Sequence, residues 1–420
     1  MRINKNIYIH FPVSILIKIV CVILISNFIS ISTELNCHAK EAAEEKEQVS
    51  PSSLYAQSAV LMDGSSGRVL YEKNGQEFLP NASTTKILTC ILALEHAQLT
   101  DVVEVSSYAA SMPDVQLHIR EGEQYYMRDL LYSLMLESHN DVAVAIAEHI
   151  SGSQEEFSKL MNLKAEEVGC KNTMFLTPNG LDATQNVNSH GTTAEDLALI
   201  MRYCIKLSPK KEQFLQITQT PEYSFTNIEG TRNFYCRNHN VFLQMMEGAI
   251  SGKTGFTGKA GYCYVGALER EGKCYIVALL ACGWPGNKNY KWSDCRKLME
   301  YGLENYQVFS LDELEASYIN ELTATVENGK RDEIGAAATI PLVRKKGEIS
   351  QILLKEEEKA TVQIIRNKLE APVEKNQEAG VLIYYINNEK WMEESLVCKE
   401  NVGKIDYKWC LKRIVTKILN

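Results

Sequence analysis

Three short motifs hold the polar side chains with which this chain could do chemistry. They are Ser83-Thr84-Thr85-Lys86, Ser138-His139-Asn140 and Lys253-Thr254-Gly255. In this order along one chain they supply a nucleophile, a base, a proton relay and a group that binds anions. Each motif alone has a simpler explanation, as a helix start, a turn between helices or a tight turn. The combination predicts an acyl-transfer enzyme with an active serine.

The first motif pairs a hydroxyl with an amine. Ser83 and Lys86 are three residues apart, so on a helix their side chains project from one face and the amine can reach the hydroxyl. To act as a base Lys86 must be neutral, and both burial and a second cation, for which Lys253 is the candidate, lower a lysine pKa. A backbone N–H at the helix start would form half of an oxyanion hole, and we expect the second N–H from Phe256.

The second motif follows a strongly apolar helical run and is expected at a corner between two helices, where polar side chains can face a cleft. There Ser138 can pass a proton to a leaving amine. The amide of Asn140 can hold both Lys86 and a substrate carbonyl.

The third motif begins a strand-like run. In a strand Lys253 and Gly255 point to one face and Thr254 to the other. We expect Lys253, helped by the Thr254 hydroxyl, to bind a terminal carboxylate. Gly255 would leave room for a peptide that lies along the strand edge.

Regular elements must position these motifs. The alternation of apolar and polar residues predicts a hairpin over residues 58–71, around an Asp-Gly-Ser-Ser-Gly turn. A buried helix is predicted from Ser83 onward. Further helices are predicted over residues 127–137, 141–150, 154–168, 194–205 and 292–306, and adjacent strands over residues 250–256, 261–268 and 274–282.

The character of the chain changes after about Val308. Short β-type runs, over residues 322–326, 336–340, 350–354, 360–365 and 380–386, predict a separate small all-β domain. The last stretch, residues 403–420, has an apolar helical stripe with basic residues mostly off it. We interpret it as an amphipathic helix at the membrane interface; the alternative is a helix packed on the β domain.

The amino-terminal segment has the features of a signal peptide. Basic residues precede an apolar run of 13 residues, and a polar stretch then ends in Cys37-His38-Ala39. We expect cleavage after about Ala39 and a solvated linker over residues 40–53; the alternative is an uncleaved membrane anchor. Either reading predicts export.

Composition limits the remaining possibilities. The 420 residues are 45% hydrophobic and 23% charged, with a net charge of −9, which suits two globular domains and leaves no basic footprint for nucleic acid. Ten of the 12 cysteines follow the predicted cleavage site, without the spacing of metal ligands. We expect mostly buried thiols, assign no disulfide, and expect neither a metal nor another cofactor.

With these motifs the chain resembles the serine-type D-alanyl-D-alanine carboxypeptidases, the low-molecular-mass penicillin-binding proteins of peptidase family S11. The likeness extends through Gly180-Leu181-Asp182, the stretch from His190 to Leu197 and Ala371-Pro372-Val373 to the terminal helix. It implies an α/β catalytic domain of the β-lactamase/transpeptidase type (an antiparallel sheet with helices), then the all-β domain and the amphipathic helix. The domain ranges that we expect are residues 54–307, 308–400 and 403–420.

The resemblance also implies an activity and roles for the motif residues. The activity is removal of the terminal D-alanine from peptidoglycan stem pentapeptides, with acylation by β-lactam antibiotics, at the outer face of the cell membrane. By motif, Ser83 is the acylated nucleophile and Lys86 the base, and Ser138 and Asn140 are the relay and the orienting amide. The substrate-binding residues are Lys253, Thr254, Gly255 and Phe256.

Three alternatives stay open on the sequence. A DD-endopeptidase cleaves similar amides and differs in cleft shape. Class A β-lactamases are smaller proteins without the β domain, and they need a glutamate on a loop after the second motif. The corresponding residues 170–180 contain no glutamate. A non-catalytic wall-binding protein would not need the intact motifs. One departure from the family is His139, where small residues are common; its ring would narrow the cleft or alter the pH dependence.

Overall fold

The computed structural model describes residues 50–318, 322–331, 337–345 and 349–419. The predicted signal peptide and residues 40–49 of the predicted linker lie outside the described residues. The described residues belong to one compact unit, Ser50–Asn420.

The amino-terminal part of this unit contains eleven of the described strands. In chain order they are β1 (Ser58–Asp63), β2 (Val69–Lys73), β3 (Val102–Glu104), β4 (Gln124–Tyr126), β5 (Thr184–Gln185), β6 (Asn188–Ser189), β7 (Glu222–Thr226), β8 (Asn233–Arg237), β9 (Ala249–Thr257), β10 (Gly261–Arg270) and β11 (Lys273–Leu280).

Five of these strands form the main sheet, in the order β2-β1-β11-β10-β9, and each neighbouring pair is antiparallel. Strand β11 is buried along its whole length, as expected of a central strand with helices on both faces. Strand β9 carries the third motif and lies at the edge of the sheet, where backbone groups are free to pair with an extended peptide. The predicted hairpin of β1 and β2 and the three predicted adjacent strands are confirmed.

Nine helices accompany this sheet in the described part of the chain. They are α1 (Lys86–His96), α2 (Ser107–Ala110), α3 (Met127–Leu136), α4 (Asn140–Ser151), α5 (Gln154–Val168), α6 (Ala194–Arg202), α7 (Lys211–Gln219), α8 (Phe242–Met245) and α9 (Tyr290–Asn305). Helix α1 is buried from Lys86 to Leu94 and lies at the centre of the main hydrophobic core.

Helices α2, α7 and α8 and the strand pairs β3–β4 and β5–β6 were not predicted, and the amino-terminal part differs from the predicted elements at three further places. Ser83 lies in a 3₁₀ turn, Ala82–Thr85, and the α-helix begins only at Lys86. Helix α6 ends at Arg202 and continues as a π-helical turn, Tyr203–Leu207. The hairpin of β7 and β8 was not predicted, although burial alternates along both strands; each strand has only five residues and one fully buried side chain.

The carboxy-terminal part of the unit is built from strands around a second hydrophobic core. They are β12 (Tyr306–Ser310), β13 (Thr323–Glu327), β14 (Ala338–Arg344), β15 (Gln351–Lys355), β16 (Ala360–Arg366), β17 (Leu369–Glu370), β18 (Glu378–Ile386) and β19 (Glu389–Cys398), with helix α10 (Leu311–Tyr318) after β12. Six strands form one sheet in the order β16-β18-β19-β14-β13-β17, and β12 pairs with β15. The predicted all-β character is confirmed.

The chain ends in helix α11 (Tyr407–Leu419), which confirms the predicted terminal helix. It has no buried residue, and its apolar side chains, Leu411 and Ile418 among them, are exposed. Within the described residues we find no helix with the length and apolar content that crossing a membrane requires.

Candidate active site

The three motifs meet at one cavity of about 560 Å³, whose lining includes Ser83, Ser138 and Lys253. Each residue comes from a different element. Ser83 lies in the 3₁₀ turn before α1, Ser138 in the corner between α3 and α4, and Lys253 in edge strand β9. Residues that are 170 positions apart in the sequence therefore share one site.

Lys86 contacts three other groups of this site. Its Nζ lies 2.9 Å from Ser83 Oγ, 2.8 Å from Asn140 Oδ1 and 2.6 Å from the backbone oxygen of Asn179. The side chain is fully buried. Burial is the largest cause that lowers the pKa of Lys86 well below its usual value, and the neighbouring Lys253 cation adds to it. An amine with such a pKa can accept a proton from the hydroxyl beside it.

The amide of Asn140 is held in one orientation. Its Nδ2 donates to the backbone oxygen of Pro113 at 3.1 Å, which turns Oδ1 toward Lys86. Its backbone N–H donates to Val115 O at 2.7 Å. The next residue, Asp141, supports the same corner, because its carboxylate accepts the backbone N–H groups of residues 117 and 119. Asn140 can therefore orient the lysine amine without moving.

Ser138 and Lys253 face each other across the cavity. Lys253 Nζ donates to Ser138 Oγ at 2.9 Å and to the backbone oxygen of Thr254 at 3.0 Å. Burial lowers the pKa of Lys253 to about 7. Because the ammonium is only a donor, Ser138 Oγ accepts this bond and keeps its own proton for another partner. Ser138 has a φ of 71°, a left-handed conformation that is uncommon for a serine.

Gly255 allows strand β9 to approach the turn that carries Ser83. A Cβ at this position would lie 2.9 Å from Asn81 O, 2.9 Å from Ser83 N and 3.0 Å from Thr84 N. All three atoms are backbone and cannot rotate away. The close contact here is with the enzyme's own turn, whereas the sequence had suggested only clearance for a peptide.

His139 is turned away from the cavity. Its ring is buried, with Nδ1 2.7 Å from Ser133 Oγ on α3, and the ring is not part of the cavity lining described above. Burial is the main cause that lowers the pKa of His139 to about 4. The ring therefore packs the corner that carries Ser138, and the predicted narrowing of the cleft is not what it does in this structure.

Sequence reasoning missed two groups at the site. The Asn179 carbonyl contacts Lys86, but every residue has a carbonyl, so no side-chain pattern could have revealed it. Lys288 and Lys291 also line the cavity, from the loop and the helix start after β11. Lys291 Nζ lies 4.7 Å from the ring centroid of Trp292, a cation–π arrangement. With Lys253, these lysines make the cavity attractive to a carboxylate.

Neither a cluster of metal ligands nor a disulfide occurs in the part of the chain that the structure describes. No three His, Cys, Asp or Glu side chains there are grouped so that they could hold a metal ion. The ten cysteines of residues 50–419 are all free thiols, and eight of them are buried, as the sequence had led us to expect.

Two family models match this chain. The model described as D-alanyl-D-alanine carboxypeptidase matches residues 44–281, and the model described as Penicillin-binding protein 5, C-terminal domain, matches residues 315–404. The first covers the elements that carry the three motifs, and the second covers most of the all-β part.

Individual proteins are similar over most of the chain. D-alanyl-D-alanine carboxypeptidase DacF of Bacillus subtilis is 31% identical over 365 residues, which are 85% of this chain and 88% of the relative. The crystal structure of penicillin binding protein 5 from Haemophilus influenzae is similar with a TM-score of 0.67 and 25% identity, covering 85% of this chain and 100% of that one. Penicillin-Binding Protein D2 from Listeria monocytogenes, solved in an ampicillin-bound form, has a TM-score of 0.51 and 29% identity, covering 60% and 98%.

Proposed function

The chain belongs to the D-alanyl-D-alanine carboxypeptidase family, peptidase family S11, and from this premise we propose that it removes terminal D-alanine from peptidoglycan stem pentapeptides through an acyl-enzyme on Ser83. The protein is thus a serine-type carboxypeptidase and a penicillin-binding protein. The observation that carries the mechanism is the 2.9 Å contact between Lys86 Nζ and Ser83 Oγ, in a fully buried setting that favours a neutral amine.

Acylation begins when Lys86 takes the Ser83 proton and Oγ attacks the carbonyl carbon of the penultimate D-alanine. The negative charge that develops on the carbonyl oxygen would be stabilised by the backbone N–H groups of Ser83 and Phe256. The contact of Gly255 with the Ser83 turn supports this pairing, because it keeps strand β9 next to the nucleophile.

Loss of the terminal D-alanine requires a proton on its amine. Ser138 is the proposed relay: its oxygen accepts a bond from Lys253, it passes its own proton to the amine, and it regains the proton that Lys86 took from Ser83. The C–N bond then breaks, the ester on Ser83 remains, and a water molecule hydrolyses the ester. Asn140 keeps Lys86 oriented through both steps.

Recognition of the substrate's terminal carboxylate is assigned to Lys253 and Thr254. The lysine is charged below a pH of about 7 and lies in a cavity that also contains Lys288 and Lys291. A β-lactam antibiotic has a carboxylate beside a reactive amide and would use the same contacts, which agrees with the ampicillin-bound relative.

We also propose the domain division and the location of the enzyme. Two separate hydrophobic cores support a division into two domains near residue 307, at strand β12. The substrate class requires action outside the cytoplasm, and the signal-like residues 1–39 agree with export. The exposed apolar side of α11, flanked by Lys408, Lys412 and Lys417, supports peripheral attachment to the membrane surface.

The direct test is incubation of the purified enzyme with a stem pentapeptide and, separately, with a cross-linked peptide dimer. We expect D-alanine release from the pentapeptide to be faster than cleavage of the dimer. Ser83→Ala should abolish release, while Ser224→Ala, an exposed serine on β7, should retain it. Preferred cleavage of the dimer would instead identify an endopeptidase, and full activity of Ser83→Ala would refute the mechanism.

A further inference from the structure

The two ring nitrogens of His190 have different partners. Nδ1 lies 3.0 Å from the backbone nitrogen of Leu176 and 3.3 Å from that of Thr177, and both of these groups donate to it. Nε2 lies 3.0 Å from Thr85 Oγ1. The residue is only 3% exposed, and its ring packs against Phe175. Both edges of the imidazole are therefore occupied within the protein.

These contacts determine which nitrogen carries the proton. A backbone N–H can only donate, so Nδ1 must present a lone pair and the proton resides on Nε2. The Thr85 hydroxyl directs its own proton to Ala82 O, at 2.9 Å, and accepts from Asn81 Nδ2, also at 2.9 Å. It is therefore an acceptor for Nε2–H. A second proton on Nδ1 would oppose two N–H donors, so the ring is held neutral by its geometry.

The ring joins two segments that both contact Lys86. Thr85 belongs to the turn that carries Ser83 and immediately precedes Lys86. Residues 176–177 lead directly to Asn179, whose backbone oxygen lies 2.6 Å from Lys86 Nζ and 3.5 Å from Ser83 Oγ. Nothing else in the mechanism above uses His190.

We propose that His190 is a positioning residue: as a neutral imidazole it fixes the distance between the Ser83–Lys86 turn and the Asn179 carbonyl, and so keeps the Lys86 amine in line with the Ser83 hydroxyl. The inference rests on the proposed role of Lys86 as the base. The charged groups that face Lys86 are Lys253 and Asp141, and Lys86 is the charged group that faces His190. Burial, and secondly Lys86, lower the pKa of His190 to about 4, in agreement with a neutral ring at working pH.

Two substitutions test the contacts of the two ring nitrogens separately. His190→Asn can place an amide oxygen near the position of Nδ1 and keep the bonds to residues 176–177, but it does not reach Thr85. His190→Gln can reach Thr85, but it leaves the two backbone N–H groups without their acceptor. The measurement is the second-order rate constant of acylation by a fluorescent penicillin between pH 5 and 9, with thermal melting as the check on folding.

Both variants should acylate roughly 10- to 100-fold more slowly than the wild type. In His190→Gln the backbone N–H groups of residues 176–177 lose their acceptor, so the Asn179 carbonyl is held less firmly against Lys86. A weaker hydrogen bond to this carbonyl favours the charged form of Lys86 less and lowers the lysine pKa. The acid limb of its pH profile should therefore move to lower pH by roughly half a unit or more, while that of His190→Asn stays in place. Wild-type rates in both variants, or rates that fall only with melting temperature while neither limb moves, would overturn the proposal.

A matched control and a second variant keep the test decisive if one of these proteins does not fold. His149→Asn alters a histidine at the end of α4, whose nearest acidic partner is Asp101 at 3.8 Å, and should leave the rate unchanged. Thr85→Val removes the Nε2 partner together with the Thr85 bonds to Ala82 O and Asn81 Nδ2. Combined with His190→Asn, its effect should be less than multiplicative, because both variants lose the bond between Thr85 and Nε2. Fully multiplicative losses would contradict the proposal.

Failure of this inference is distinguishable from failure of the proposed function. In the first case the wild type and all His190 variants label to one penicillin per protein with the same pH profile. In the second the wild type itself does not label.

Discussion

Replacement of Gly255 by alanine tests the most closely packed contact of the site. The added Cβ would lie 2.9–3.0 Å from three backbone atoms of residues 81, 83 and 84, closer than carbon normally approaches any of them. Since none of these atoms can rotate away, either strand β9 or the Ser83 turn must shift by a few tenths of an ångström. Overpacking of this kind costs about 1–3 kcal/mol.

The shift displaces the two backbone N–H groups that we propose for the oxyanion hole. If most of the cost of about 1–3 kcal/mol raises the free energy of the acylation transition state, the acylation rate constant should fall roughly 10- to 100-fold, because about 1.4 kcal/mol corresponds to a factor of ten. The melting temperature should fall by only a few degrees. The assay is stopped-flow acylation by a fluorescent penicillin, with thermal melting on the same samples.

Gly258 provides the matched control. It lies just beyond the same strand, and a Cβ there meets no atom within 4 Å. Gly258→Ala should therefore acylate at the wild-type rate. A Gly255→Ala enzyme that acylates as fast as Gly258→Ala would show that strand β9 and the turn are not held together as described.

Three further outcomes follow from the same geometry. Because burial lowers the pKa of Lys253 to about 7, its charge is lost as the pH rises through that value, and kcat/KM for a peptide with a free carboxylate should decline above pH 7; a flat profile to pH 9 would exclude this lysine as the carboxylate partner. Asn140→Asp places a carboxylate where Oδ1 now lies 2.8 Å from Lys86 Nζ, and this negative charge should raise the pKa of Lys86. The acid limb of the pH profile of acylation should then move to higher pH by roughly a unit or more. An acid limb that does not move would mean that Lys86 is not the base. Truncation after Asp406 removes α11 and keeps the ion pair between Lys330 and Asp406 in the β region. The truncated protein should no longer sediment with anionic vesicles, and its activity on a soluble pentapeptide should be unchanged. Retained sedimentation would show that α11 is not the anchor.

Local geometry explains what the sequence could predict. The spacing of Ser83 and Lys86 indicated contact because three residues span about one turn of either a 3₁₀ or an α-helix, so the exact helix type did not matter. Strand β11 was recognisable because its residues are apolar almost without interruption. The terminal helix was recognisable because its basic residues are separated from an apolar stripe.

The features that the sequence could not predict depend on non-local contacts. The carbonyl of Asn179 is a backbone group, and the ring of His190 accepts from two backbone N–H groups besides its contact with Thr85; contacts with the backbone leave no trace in a side-chain pattern. Gly255 was selected correctly, but its neighbour is the turn at Asn81 and Ser83, about 170 residues away in the chain. The β7–β8 hairpin was missed although burial alternates along it, because two strands of five residues with one fully buried side chain each give a short signal.

The covalent adduct is the most direct test of the site. The enzyme is reacted with benzylpenicillin, its intact mass is measured, and the modified peptide is mapped after proteolysis. We expect one adduct per chain, located on Ser83, and strongly slowed adduct formation in Lys86→Ala. An adduct on another residue, or unchanged acylation of Lys86→Ala, would contradict a serine activated by the neighbouring lysine.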